Sequence, residues 1–208
     1  MENRISQPTI YVIEDDIGMI TLYRDLLESI GVPTRFFTCG EDFFRAWSAE
    51  WTGGLIVDLR MPGISGLEVL RRLRANGSQL PAIVATGYGE IRTTVQAMKL
   101  GAIEFLEKPF SNSELLEAVQ AMLAQGRQQA LEQSVRAEME ASLNALSARE
   151  REVAELIARG LTSREIAQVL AISPRTVDAH RAQALIKTNC STSIELATLF
   201  SRLGELPR

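Results

Sequence analysis

Val57-Asp-Leu-Arg-Met-Pro-Gly63 joins a short apolar run, Leu55–Val57, to an amphipathic segment, Leu67–Ala75. The run has the length and composition of a buried strand, and the segment has helical spacing. The same alternation recurs outward from this unit, with further strand-like stretches at Thr9–Ile13, Thr34–Thr38, Ala82–Ala85 and Ile103–Leu106. The other helical stretches are Met19–Ser29, Phe43–Glu50, Arg92–Leu100 and Glu114–Leu123. Five successive strand–helix units predict an α/β domain with a doubly wound, five-stranded parallel sheet covered on both faces by helices.

The composition is that of an ordinary globular protein. The chain has 208 residues, 46% hydrophobic and 23% charged, enough for one large or two small domains. Cys39 and Cys190 lie far apart and match no metal-ligand spacing, so we expect a reduced protein without disulfides. No apolar run approaches the roughly 20 residues that span a bilayer. These features predict a cytoplasmic protein with no membrane partner.

The charge is unevenly distributed along the chain. Residues 1–144 hold 13 Lys and Arg against 19 Asp and Glu, whereas residues 145–208 hold 9 against 7. The net charge of −4 therefore combines an acidic part with a mildly basic one. We expect the two parts to be different domains, and the basic one is compatible with binding nucleic acid.

A helical linker is predicted between these parts. Residues 124–144 are rich in Ala, Gln and Glu, and Val135, Met139 and Leu143 recur at helical spacing. The pattern predicts a first domain at 1–125, a linker at 126–144 and a second domain at 145–208. The narrow apolar stripe leaves two interpretations open: a solvated spacer lightly packed on a domain, or a dimerising coiled coil.

The second domain reads as four short helices with clear start patterns. Ser147-Ala-Arg-Glu150, Thr162-Ser-Arg-Glu165 and Thr192-Ser-Ile-Glu195 have the form of capping boxes, and Ser173-Pro174 supplies an N-cap with proline at the first helical position. Four helices in about 60 residues, with a tight turn near Leu170–Ser173, predict an all-α helix-turn-helix domain.

Polar side chains follow the strand-like stretches of the first domain where those stretches end. They comprise carboxylates after the first and third stretches, a threonine at the end of the fourth and a lysine after the fifth: Glu14, Asp15, Asp16, Asp58, Thr86 and Lys108. The carboxyl ends of parallel strands meet at one edge of a sheet, so we expect these groups to converge. Neighbouring carboxylates repel unless a cation joins them, and an all-oxygen site suits Mg²⁺, with Mn²⁺ also possible. A carboxylate flanked by such a cation, an ammonium and a hydroxyl is placed to accept a phosphoryl group.

Four motifs in this domain resemble the receiver domain of two-component response regulators. They are Ile13-Glu-Asp-Asp16, Val57-Asp-Leu-Arg-Met-Pro-Gly63, Val84-Ala-Thr-Gly87 and Phe105-Leu-Glu-Lys-Pro-Phe110. The resemblance spans nearly all of residues 7–125 and implies a flavodoxin-like fold. It also implies that Asp58 takes a phosphoryl group from a histidine of a partner sensor kinase.

The resemblance also implies a metal site and a switch. Asp15 and Asp58 would bind Mg²⁺ with the Arg60 backbone carbonyl, and Glu14 would help through water. Many receivers have Asp at the position of Glu14, so we expect the Mg²⁺ affinity to be altered rather than lost. Thr86 and Lys108 would bind phosphoryl oxygens, and Lys108–Pro109 would be a cis peptide. Phe105 would rotate inward as the switch, while bulky side chains at Arg60 and Tyr88 predict slow autodephosphorylation.

Residues 147–203 resemble the four-helix DNA-binding domain of the LuxR and FixJ group, most specifically over Gly160–Ala182. In that group Thr162–Leu170 would be the scaffold helix and Pro174–Thr188 the recognition helix in the major groove. The last helix often forms a dimer interface in this group. Its apolar positions, Leu196, Leu199 and Leu203, fit either that interface or the domain core.

Contacts to DNA are assigned by side-chain chemistry. Hydroxyl side chains, backbone amides near the start of the scaffold helix and one ammonium are expected to contact phosphates. The residues that carry them are Thr162, Ser163, Arg164, Ser173, Thr176 and Lys187. Arg175 and Arg181 fit base edges, because arginine can bond guanine bidentately, although phosphate contacts alone are an equal alternative. Ala179 and Ala182 permit close approach to the groove. Asp178 is expected either to accept from cytosine or to pair with a basic neighbour.

The combined expectation is a response regulator that dimerises when phosphorylated, binds promoter DNA and contacts RNA polymerase, with no catalysis except on itself. An aspartate-nucleophile phosphatase is one alternative, but the general-acid position of such enzymes holds Arg60, which cannot act as an acid near neutral pH. A degenerate receiver that binds DNA without phosphorylation is the other, and the Glu14 substitution keeps it open.

Overall fold

The computed structural model describes residues 8–87 and 91–205, and the predicted role of Tyr88 lies outside them. The strands are β1 (Thr9–Ile13), β2 (Thr34–Phe37), β3 (Gly53–Val57), β4 (Ala82–Thr86) and β5 (Ala102–Glu107). The helices of the first part are α1 (Ile17–Ser29), α2 (Gly40–Ala46), α3 (Gly66–Ala75), α4 (Ile91–Lys99) and α5 (Asn112–Asn144). Those of the second part are α6 (Ala148–Ala158), α7 (Ser163–Leu170), α8 (Pro174–Lys187) and α9 (Ser193–Leu203).

The sheet is parallel throughout, with strand order β2-β1-β3-β4-β5. This order is doubly wound, with its switch point between β1 and β3, and it confirms the predicted fold class. Apolar side chains on one face pack with α1 and α5, and those on the other pack with α2, α3 and α4. Helix α2 ends earlier than its pattern indicates, because the backbone at Trp47 turns to an extended conformation.

Helix α5 runs without a break from Asn112 to Asn144. Gly126 lies against β3: a β-carbon there would be 2.3 Å from the Gly53 carbonyl oxygen. Close approach of helix and strand therefore requires this glycine. The two compact units divide within the helix, between Leu131 and Glu132.

The last turns of α5 belong to the core of the second unit. Leu143 is buried there, and Met139 packs against the same cluster. Of the two interpretations of the apolar stripe, this arrangement favours packing on a domain: Val135 is 40% exposed, and the end of the stripe packs into the domain that follows. No helix in the described ranges is long and apolar enough to cross a membrane.

The second unit has the four predicted helices after α5. Ser147 and Thr162 form complete capping boxes, and Ser173 caps α8 with Pro174 in its first turn. The third box is only half formed, because Glu195 accepts from the Ser191 amide instead of the Thr192 amide. On α9 the apolar positions that fitted either a dimer interface or the core are core residues: Leu196, Leu199 and Leu203.

Candidate functional site

Side-chain alternation along the strands brings the acidic site together. Each contributing residue comes two positions after a buried strand residue that packs against α1 and α5. Because successive strand residues point to opposite faces, these side chains share that face at the carboxyl edge of the sheet. They are Glu14, Asp58 and Lys108.

One ammonium group joins the two buried carboxylates. Lys108 Nζ donates to Glu14 Oε2 at 2.6 Å and to Asp58 Oδ2 at 2.8 Å. Glu14 is 1% exposed and Asp58 is 8% exposed, so water contributes little to their solvation. The Arg60 amide donates to the other Asp58 oxygen at 3.0 Å. Both Asp58 oxygens therefore have defined partners.

Burial and charge act in opposite directions on these groups. Burial raises the pKa of Glu14, although the hydrogen bond and charge of Lys108 act to lower it. Burial alone would lower the pKa of Lys108, but its bonds to Asp58 and Glu14 outweigh that effect and raise it. The Lys108 ammonium is thus held in its charged form by the two carboxylates.

The donor set fits a small hard cation. Glu14, Asp15 and Asp58 each offer one carboxylate oxygen, and these atoms lie within 4.8 Å of one another. Asp15 is exposed, which leaves a side of the cluster open to water. Mg²⁺ is typically held by one or two carboxylates and keeps several waters, so the chemistry of the cluster matches that ion. Asp16 has a structural role, since its side chain accepts from the Met19 amide and caps α1.

The loop after Asp58 is fixed by residues that the sequence did not single out. A β-carbon on Gly66 would lie 2.2 Å from the Asp58 carbonyl oxygen, so α3 approaches the acidic site only with glycine there. The Glu41 carboxylate accepts from the Ile64 amide at 3.1 Å and ties the same loop to α2. The sequence shows a glycine at position 66, but it does not show what that glycine packs against. The contact between Glu41 and Ile64 spans 23 residues, so no local pattern could predict it.

Thr86 and Phe105 lie on the other face of the sheet. Thr86 is fully buried, and its carbonyl accepts from the Lys108 amide at 2.9 Å, which links the ends of β4 and β5. Phe105 pairs in register with Val84. Its side chain is partly buried against the apolar cluster on the sheet face that α2, α3 and α4 cover. The Lys108–Pro109 peptide bond is cis, as the resemblance implies.

The recognition helix presents a mixed outer face. Val177 and Ala184 are buried against the domain core, and Leu185 is partly buried. Most residues expected to approach DNA are exposed: Arg164, Arg175, Thr176, Ala179 and Ala182. Arg181 is half-buried. After α8, Asn189 has a positive φ of 54°, a conformation that asparagine tolerates in turns.

Several groups expected to contact DNA have partners within the domain. Lys187 Nζ donates to Glu150 Oε2 at 2.7 Å, so this ammonium is not free for a phosphate without breaking that pair. Asp178 accepts from Ser163 Oγ at 2.8 Å, where a basic partner was one of two expectations. The remaining hydroxyls take part in caps: Thr162 with Glu165, and Ser173 with Thr176.

The fold and these sites define a response-regulator receiver joined in one chain to a helix-turn-helix domain. The model of response regulator receiver domains matches residues 10–120, and that of bacterial regulatory proteins of the luxR family matches residues 144–200. The chain is 39% identical to the transcriptional regulatory protein FixJ of Azorhizobium caulinodans, covering 95% of this chain and 94% of that protein. It is 35% identical to the response regulator protein TodT of Pseudomonas putida, covering 99% and 89%.

Similarity to solved structures extends over both domains. The structure of the response regulator StyR superposes with a TM-score of 0.85 at 35% identity, covering 95% of this chain and 100% of that chain. Full-length FixJ from B. japonicum gives 0.56 at 36% identity, covering 97% and 100%. The chain therefore belongs to the FixJ-type family of two-component response regulators and acts as a transcription factor. This membership implies a histidine kinase and DNA as partners.

Proposed function

We propose that Asp58 is the phosphoryl acceptor that controls DNA binding by this chain. The observation that carries the proposal is a buried aspartate whose two oxygens are held by Lys108 and the Arg60 amide, beside two further carboxylates. An Asp58 oxygen forms a bond to phosphorus as the phosphorus–nitrogen bond of the donor phosphohistidine breaks, and the imidazole nitrogen takes up a proton. Bound through Glu14, Asp15, Asp58 and the Arg60 carbonyl, Mg²⁺ would neutralise charge on the transferring oxygens.

Lys108 and Thr86 are the groups that receive the new phosphoryl oxygens. The Lys108 ammonium already contacts Asp58, so a short movement brings it to an oxygen attached there. Thr86 follows Val84, the register partner of Phe105, on the same face of the sheet. Movement of Thr86 toward the phosphoryl group would leave room for Phe105 to turn inward, which makes this pair the switch.

The switch controls dimerisation and DNA binding. Val95 and Met98 on α4 are nearly half exposed, as expected of side chains that a second protomer covers in the phosphorylated state. The dimer then places two recognition helices on promoter DNA, with Arg175 and Arg181 at base edges and contacts to RNA polymerase nearby. The degenerate-receiver alternative loses support, because Glu14 contacts Lys108 within the acidic cluster despite its extra methylene.

Intact mass spectrometry after incubation with acetyl phosphate and Mg²⁺ tests this assignment. We expect the wild-type chain to gain the mass of one phosphoryl group, and Asp58→Asn to gain none. Asp16→Asn is the matched control, since Asp16 caps α1 and should leave the modification intact. An unmodified wild type, or a phosphorylated Asp58→Asn, would contradict the proposal.

A further inference from the structure

Tyr23 places a phenol without a hydrogen-bond partner beneath the acidic site. It lies on the inner side of α1, is fully buried, and its ring stacks on Phe110 with centroids 6.2 Å apart. Within residues 8–87 and 91–205, only Tyr23 and Ser193 have buried side-chain polar atoms that make no hydrogen bond. Ser193 begins α9 in the other unit. Buried hydroxyls almost always have a hydrogen-bond partner, so we expect the Tyr23 hydroxyl to have one in another state of the pocket.

Three features direct this hydroxyl toward Glu14. Helical side chains lean back toward the N-terminus of their helix, and α1 begins three residues after Glu14. Tyr23 packs on the sheet face to which alternation assigns Glu14, and Phe110 comes two residues after Lys108. Burial raises the pKa of Tyr23, and the charges of Glu14 and Asp58 raise it further, so the phenol lies within their electrostatic reach.

Glu14 depends on Lys108 in the resting pocket. Its strong hydrogen bond is the one from Lys108 at 2.6 Å, while the Asp16 amide donates to the other oxygen at 3.3 Å. Phosphorylation would draw the ammonium toward the phosphoryl group and away from Glu14. A carboxylate that is 1% exposed would then lose its main hydrogen-bond donor. Mg²⁺ would occupy only part of the acceptor capacity of its two oxygens, so the position that the ammonium leaves would still need a donor.

We propose that Tyr23 is a positioning residue for the phosphorylated pocket: its hydroxyl replaces Lys108 as the donor to Glu14. The proposal rests on the proposed function of Asp58. It explains why the phenol has no partner at rest, since its partner is then occupied by the ammonium. It also predicts an effect restricted to one state, which a phenol that merely fills space would not give.

Tyr23→Phe separates the two states. We expect its thermal unfolding in Mg²⁺-free buffer to be unchanged or shifted upward, because no hydrogen bond is lost. Binding of beryllium trifluoride with Mg²⁺, a phosphoryl mimic, should weaken about tenfold, the loss typical of a hydrogen bond to a charged group. Both can be measured on the full chain, by calorimetry and by titration.

Tyr11→Phe is the matched control. The Tyr11 hydroxyl bonds to the Thr9 side chain and lies on the opposite sheet face, so its removal should lower resting stability and leave beryllium trifluoride affinity unchanged. Equal affinity of wild type and Tyr23→Phe would overturn the role of Tyr23, and so would a loss of resting stability in that variant. A wild type that neither binds the mimic nor takes up phosphate would instead overturn the proposed function, and this inference with it.

Discussion

The acidic pocket and the outer face of the recognition helix use charge in opposite ways. In the pocket, Glu14 and Asp58 are buried, and the partly buried Lys108 holds them together. On the recognition helix, Arg175 is exposed, and no described residue forms an ion pair with it. Charges in the pocket are therefore fixed by the fold before any partner arrives, whereas those on the helix acquire their geometry from DNA. Substitutions should accordingly affect folding in the first region and binding in the second.

The largest effect is expected at Lys108. Lys108→Met leaves two buried carboxylates without their shared counter-charge, and breaking such a pair typically lowers the free energy of unfolding by about 3 kcal/mol. Added Mg²⁺ should restore part of the loss, because it supplies positive charge at the same carboxylates. Urea unfolding with and without Mg²⁺ measures both effects. Arg45→Met removes an exposed ion pair with Asp42 and should change the free energy of unfolding by less than about 1 kcal/mol. Equal losses in the two variants would contradict the difference between the buried and the exposed charges.

A methyl group at Gly66 should have the next largest effect. Gly66→Ala would place a β-carbon 2.2 Å from the Asp58 carbonyl oxygen, so α3 or the loop must move. Overpacking of this kind lowers the free energy of unfolding by about 2 kcal/mol, and the displaced Asp58 should be phosphorylated more slowly. Denaturant unfolding and the rate of phosphoryl uptake are the measurements. A β-carbon at Gly87 would meet no atom of residues 8–87 and 91–205 within 4 Å, so Gly87→Ala should be nearly neutral in stability.

Substitutions on the recognition helix should show the opposite pattern. Arg175→Ala and Arg181→Ala should each weaken binding to a selected operator about tenfold, the loss typical of one base-edge contact. Their thermal unfolding should match that of the wild type, since neither guanidinium is in an ion pair among the described residues. Fluorescence anisotropy at several salt concentrations distinguishes the two arginine roles. Equal losses on every DNA sequence would assign these arginines to phosphates instead of bases.

The smallest effect is a pH-dependent one at the pair of Glu150 and Lys187. The hydrogen bond from Lys187, helped by the Ser147 amide, lowers the pKa of Glu150 from 4.5 to about 2. A lowered folded-state pKa contributes stability above pH 4.5, and that contribution is lost as the pH falls toward 2. The unfolding temperature of Glu150→Gln should therefore lie below that of the wild type near neutral pH and converge with it in acid. Glu152→Gln, which loses only an exposed pair with Arg149, should show no such convergence.

Local patterns predicted most of the fold. The apolar runs predicted all five strands to within two residues at each end. The capping residues predicted the first residue of α6, α7, α8 and α9 to the same precision. Strand-end position alone identified Glu14, Asp58 and Lys108 as neighbours, because the carboxyl ends of parallel strands coincide.

Contacts between distant segments were beyond those patterns. The close approaches at Gly66 and Gly126, and the tie from Glu41 to the Ile64 amide, depend on packing that no single segment encodes. The hydrogen-bond partners of Lys187 and Asp178 were not predicted for the same reason, since each partner lies 15 or more positions away in the sequence. The contacts of the exposed arginines cannot be derived from the fold, because their expected partner, DNA, is outside the chain.

Control of DNA binding through Asp58 is tested by the binding of one selected operator, measured with and without acetyl phosphate and Mg²⁺. We expect acetyl phosphate to tighten operator binding by the wild type about tenfold or more, which is within the range of ordinary coupling free energies, and to leave binding by Asp58→Asn unchanged. The same operator affinity for wild type in both conditions, or an equal gain in Asp58→Asn, would contradict control of DNA binding through Asp58.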